Sequence, residues 1–173
     1  MIDDIEPLVE TAVSDVFRTM LNLNARLEVA NGALARSGPH IASSVGFTGR
    51  MTGVIFLYTT NHFARRVTGG LLGLQDREID GDEIVNDAMG ELANMVVGNI
   101  KSRLCDRGLP CVLTIPSIVR GDHFTIESVT SSERRLLSFQ CEDHQLLVEV
   151  LMKQAQPKPP NSVSLSTLSA VSA

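Results

Sequence analysis

The stretch from Asp80 to Asp106, DGDEIVNDAMGELANMVVGNIKSRLCD, constrains the fold of this chain more than any other. It carries no proline, starts among acids and stops at the turn RGLP, Arg107 to Pro110, so it reads as one long helix. With Glu91 set at zero and about 100° per residue, Glu83, Asp87, Asn94, Gly98 and Lys101 fall within roughly 80° on one side. Val85, Met89, Leu92, Ala93, Val96, Val97, Ile100 and Leu104 fill the far arc. An apolar arc of this length must lie on a core, so the rest of the chain has to supply one.

Other segments are read by the same test. Ile5, Leu8, Val9, Ala12, Val13, Val16, Phe17, Met20 and Leu21 repeat at three and four residues, a first helix with Asp3 or Asp4 as cap and Pro7 in its first turn. Arg26 to Ala30 suggests a short strand. Ala42–Thr48 and Gly53–Thr59 suggest two firmer ones joined by the turn GRM, Gly49 to Met51. Asn61 is the expected cap of a helix ending among the glycines of Gly69 to Gly73. After Pro110 the pattern becomes β: VLTIPSIV, HFTIESV, RRLLSFQCE and HQLLVEVLMK, expected as consecutive antiparallel strands. The order implies an α+β fold with helices packed on a mainly antiparallel sheet. Residues 1–155 make a single domain, and the Pro- and Ser-rich stretch 156–173 reads as a flexible tail.

Composition narrows the function classes. Of the 173 residues 43% are hydrophobic and 20% charged, as in a globular domain, and the net charge of −5 disfavours nucleic acid as the partner. The acidic start MIDDIEPLVE is unlike a signal peptide, and apolar runs such as VIFLY are too short for a bilayer. Cys105, Cys111 and Cys141 form no CxxC pair and read as reduced thiols, so the expected location is cytoplasmic.

The polar face of the long helix is unusual for a merely solvated one. Gly in a helix interior costs about 1 kcal/mol relative to Ala, yet Gly98 lies where no packing demands a small side chain. Asn is likewise a modest helix former, because its amide competes for the backbone. Glu, Lys or Arg would serve a solvated face better. Asn beside Gly suits a face that lets another surface approach closely and puts an amide into it.

Asp87-x3-Glu91-x2-Asn94, followed about twenty residues on by Pro116, resembles the signature of the CheC/CheX/FliY phosphatases of bacterial chemotaxis. GFTGRMTGVIFLYT, GELANMVVGNIKSRL and LTIPSIVRGDHFTIES resemble the paired strands, motif helix and following segment of the CheX branch, and the likeness covers roughly residues 1 to 153. The motif occurs once, as in CheX. The resemblance implies a two-layer domain that hydrolyses the aspartyl phosphate of a CheY-type response regulator. By that carry-over Asn94 orients the attacking water and Glu91 pairs with the regulator's active-site lysine. Asp87, at a position where the family accepts more than one residue, is a rim contact or a helix-face charge, Gly98 admits the partner closely, and Lys101 is a candidate contact to an acidic regulator surface. No intrinsic cofactor is implied, since Mg²⁺ would belong to the regulator. The alternative is a non-catalytic module on the same fold that binds a regulator or acts like a flagellar switch protein.

The resemblance also implies a homodimer. RRLLSFQCE and HQLLVEVLMK support one, with Leu136, Leu137, Phe139, Leu146, Leu147 and Val148 too apolar for an open sheet edge. Other constellations are weaker. His40, His62, His123 and His144 show no metal-ligand spacing, GGLLG lacks the Lys-Ser/Thr of a P-loop, and Ser43 and Ser117 lack a GxSxG context.

Overall fold

The computed structural model describes residues 5–29, 40–122 and 133–154. The first helix, α1 (Ile5–Leu21), buries Ile5, Leu8, Val9, Ala12, Val13, Val16 and Phe17 along one stripe, while Met20, expected in that stripe, is half exposed. It stops at Asn22, whose φ of 52° lets the Leu23 N–H reach back to the Phe17 carbonyl at 3.0 Å, a left-handed cap. A short strand, β1 (Ala25–Glu28), follows.

The hairpin of β2 (His40–Gly49) and β3 (Met51–Thr60) turns at Arg50, with Thr48 opposite Thr52, so both strands run further than their alternation indicated. The helix α2 (Asn61–Leu72) is capped by Thr60, not Asn61: the Thr60 hydroxyl accepts from Phe63 N at 3.2 Å. Thr60 holds the extended backbone a cap requires, and Asn61 is already helical. Gly73, at φ 69°, closes α2. After a 3₁₀ turn at Asp76–Glu78, the long helix α3 spans Gly81–Asp106 with Asp80 as N-cap residue.

The remaining strands are β4 (Cys111–Leu113), β5 (Ser117–Gly121), β6 (Glu133–Cys141) and β7 (His144–Gln154). They do not pair consecutively as expected. Only β6 and β7 form a hairpin, whereas β4 and β5 both pair with β2. The antiparallel order is β1-β6-β7-β3-β2, with β4 and β5 sharing the last edge. The strand expected at HFTIESV, the cap at Asp3 or Asp4, Ala30 and the tail lie outside the described residues.

All three helices pack on one face of the sheet, giving two layers. Ile41, Val45, Phe47, Ile55, Leu57, Leu137, Phe139, Leu146, Val148 and Val150 meet Val9, Val13, Phe17, Phe63, Met89, Leu92, Val96 and Ile100 in one core. A smaller cluster of Ala42, Tyr58 and Leu147, with Phe56 and Leu136 against it, occupies the opposite face. There the buried Glu149 carboxylate accepts from the Tyr58 hydroxyl at 2.6 Å and pairs with Arg134. Burial and that acceptor raise the Tyr58 pKa far above the ordinary phenol value.

This corrects the argument from an open edge. β7 lies between β6 and β3, and Leu137, Phe139, Leu146 and Val148 are covered by the helices, so their apolarity is that of a core. Among the described residues no helix is long and apolar enough to cross a membrane.

Candidate functional site: the outer face of the long helix

The helix α3 divides as its periodicity requires. Val85, Ala88, Met89, Leu92, Ala93, Val96, Val97, Ile100 and Leu104 are buried; Asp87 and Glu91 are exposed, and Asn94, Gly98 and Lys101 are partly so. A β-carbon at Gly98 would meet no atom within 4 Å, so nothing in the fold requires a glycine there. Gly90 differs. It is buried, and a β-carbon there would lie 3.4 Å from Pro116 Cγ and 4.0 Å from Ile118 Cδ1. The proline that follows the motif in sequence thus packs against the motif helix one residue before Glu91.

The other polar groups of α3 show what the face leaves free. Asn86 Oδ1 accepts from Arg120 Nε at 2.6 Å, and Asn99 Oδ1 accepts from Arg103 Nε at 2.8 Å. Asp82 pairs with Arg120 at 3.2 Å, while Arg103 extends to Asp15 on α1 at 2.7 Å. Among the described residues the side chains of Asp87, Glu91 and Asn94 make no hydrogen bond or ion pair. Of the three asparagines on this helix, Asn94 alone keeps its amide uncommitted. Lys101 has no ion-pair partner among the described residues either. Its ammonium is near enough to oppose the rise of the Cys111 thiol pKa, which is driven by burial and by neighbouring Cys105.

Arg120 was not legible as a site residue. It lies on the helix-facing side of β5 with Ile118, and it also donates to Asn61 Oδ1 at 2.6 Å and to the Asp82 carbonyl at 3.3 Å. One guanidinium thereby joins β5, the start of α2 and the first turns of α3. An arginine ending the alternation of SIVRG was the available signal.

The face is not a pocket. A cavity of about 500 Å³ opens beside α2, lined by Leu21, Leu23, His62, Arg65, Arg66, His144 and others, but by no residue of α3. There His62 and His144, scattered in sequence, come together with ring centroids 5.2 Å apart. Among the described residues no group of three or more His, Cys, Asp or Glu is placed to hold a metal ion. A convex strip of two free carboxylates, a free amide and a bare glycine suits a protein surface better than a small molecule.

The family model for the chemotaxis phosphatase CheX matches residues 41–140, a span that takes in the β2–β3 hairpin, the whole of α3 and Pro116. The chain belongs to the CheX family. Solved structures agree on the fold. A CheX from Desulfovibrio desulfuricans is 25% identical with a TM-score of 0.74, over 87% of this chain and 99% of that one. A CheX from Vibrio vulnificus is 21% identical with a TM-score of 0.75, over 87% and 97%. The CheX–CheY–BeF₃–Mg²⁺ complex from Borrelia burgdorferi matches at 24% identity and a TM-score of 0.73, over 89% and 100%. No curated protein sequence matches this chain. Membership in the CheX family accounts for the two-layer α+β architecture.

Proposed function

We propose that this CheX-family protein hydrolyses the aspartyl phosphate of a CheY-type response regulator, and that the outer face of α3 enters the regulator's active site. The carrying observation is the uncommitted amide of Asn94 between two amide neighbours, Asn86 and Asn99, that are tied to arginines. The Borrelia burgdorferi CheX, solved with CheY, BeF₃ and Mg²⁺, supports the choice of partner.

The chemistry asks little of this chain. An acyl phosphate is already activated, and the regulator brings its own Mg²⁺ and lysine. What has to be added is a water held for in-line attack on phosphorus. The Asn94 amide can accept from that water and donate to it, so positioning is its catalytic contribution. The exposed Glu91 carboxylate, one helical turn away, pairs with the regulator's lysine and sets the docked geometry. Asp87 adds a rim contact, Gly98 lets the partner backbone approach, and Lys101 meets an acidic patch. The test is dephosphorylation of a purified phospho-regulator by wild type and Asn94→Ala. Loss of most turnover with regulator binding kept is the expected result. Undiminished turnover in the variant removes the assignment.

The protein is further proposed to act as a homodimer. Among the described strands, β1 pairs with β6 only along Ser138–Cys141, so the preceding half of β6 is where two sheets would join. Light scattering at twice 18.7 kDa supports this, and a mass near 18.7 kDa refutes it.

A further inference from the structure

Between β4 and β5 the edge of the sheet leaves its partner. Leu113 pairs with Phe47 and Ser117 with Ser44, so Thr114, Ile115 and Pro116 stand opposite only Gly46 and Val45. One residue is extra, a bulge. Both flanks of it are fixed. Thr114 N donates to the Gly46 carbonyl at 2.9 Å, and Gly46 N donates to Thr114 Oγ1 at 2.9 Å. Pro116 packs on Gly90 of α3. Between these anchors Ile115 is 85% exposed.

A single exposed isoleucine needs no explanation by itself. Here the backbone is held on both sides, and the residue is one position from a contact with the motif helix. Its edge also exposes Val112 and Val119, and the run from Cys111 to Val119 carries no charged side chain. A protein partner of standard size covers about 800 Å² on each side. The strip Asp87–Lys101 on one helix cannot supply that area, so any body docked over Asn94 must extend onto the flanks of α3. The bulge lies on one of those flanks, and uncharged apolar surface beside a polar strip is the composition of an interface core.

We propose that Ile115 is an apolar anchor for the phosphorylated receiver domain, a binding contact that adds affinity beside the strip carrying Asn94. This rests on the function proposed above.

The experiment measures kcat and KM for dephosphorylation of a CheY-type receiver, and Kd for the same receiver loaded with beryllofluoride and Mg²⁺. Wild type, Asn94→Ala, Ile115→Val and Ile115→Asp are compared, with thermal unfolding and light scattering on each. Ile115→Asp is expected to raise KM and Kd by about tenfold or more, as for a buried interface anchor, with kcat nearly unchanged and mass and Tm as in wild type. Ile115→Val should stay near wild type, and Asn94→Ala should show the opposite split, lost kcat with Kd kept. An Ile115→Asp protein with wild-type KM and Kd overturns the anchor and leaves the phosphatase reading standing. A changed mass in that variant also overturns it, by assigning the edge to a second copy of the chain. A wild-type protein that neither binds nor dephosphorylates the receiver overturns both.

Discussion

Gly98 offers the sharpest test of why α3 has the face it has. In the structure a β-carbon at this position would meet nothing within 4 Å, and the Gly98 carbonyl still accepts from Ser102 Oγ at 3.1 Å. Gly98→Ala therefore adds a methyl group without a clash and removes the helix-propensity penalty of glycine, about 1 kcal/mol. For a chain of this size that is a rise in Tm of roughly 2–4 °C. Gly98→Leu has the same open space and should be no less stable than wild type. Its side chain, however, would fill the space through which the proposed receiver approaches, and Kd for the beryllofluoride-loaded receiver should weaken by about tenfold or more. Circular dichroism melts and isothermal titration measure the two effects separately. A lower Tm for Gly98→Ala would show that the position is packed, contrary to the open surroundings described. A Gly98→Leu protein that docks like wild type would show that the glycine is not kept for approach.

Other expectations follow from particular contacts. Glu91→Lys should abolish receiver binding as well as turnover, because two ammonium groups would meet in a partly desolvated interface at a cost of several kcal/mol; normal Kd in a pull-down or titration would end the role of Glu91. Among the described residues Ser43 Oγ is buried with no hydrogen-bond partner, so Ser43→Ala should raise the unfolding free energy from urea titration by about 1 kcal/mol while leaving turnover alone. His144 stacks on Phe63 at 4.6 Å, and burial first, then His62 and Arg66, hold its pKa below the ordinary 6.5, with Asp143 and Glu142 pulling the other way. The unfolded chain then binds this proton more readily than the folded one. The contribution of His144 is present above pH 6.5 and lost as pH falls below it. Urea titrations across that range should show the loss, and His144→Phe should flatten it.

Buried Cys141 works at the other end of the scale. Burial and nearby Glu142 push its thiol up to about 12, so the unfolded chain loses this proton first as pH rises. Stability should decline above the ordinary thiol value, and Cys141→Ala should remove that component of the decline in alkaline denaturation curves.

Much of the scaffold could be read from the chain because a helix or strand declares its buried side within its own residues. The arc of α3 that the period assigned to the core is the arc that is buried, from Val85 to Leu104, and the polar arc is the one left outside. The same holds for the stripe of α1 and for the β2–β3 hairpin, whose turn residues sit between its two halves. Even the oddity of Gly98 was visible, since helix propensity is a local property.

What could not be read was which segments and side chains tertiary packing brings together. RRLLSFQCE and HQLLVEVLMK look as apolar in an interior strand as at an edge, and only the sheet order places β7 between β6 and β3. Gly90 and Gly98 are the same residue eight positions apart, but Pro116 lies against one and open space against the other. Asn86, Asn94 and Asn99 are equally polar in sequence. Arg120 arrives from β5 to bind the first, Arg103 turns back from the next turn of α3 to bind the third, and the second is left free. The polar face was therefore legible, while the distinction between an amide bonded within the fold and an amide left unbonded was not. That distinction depends on which donor tertiary packing brings within 3 Å, and for Asn86 the donor lies 34 residues away in sequence.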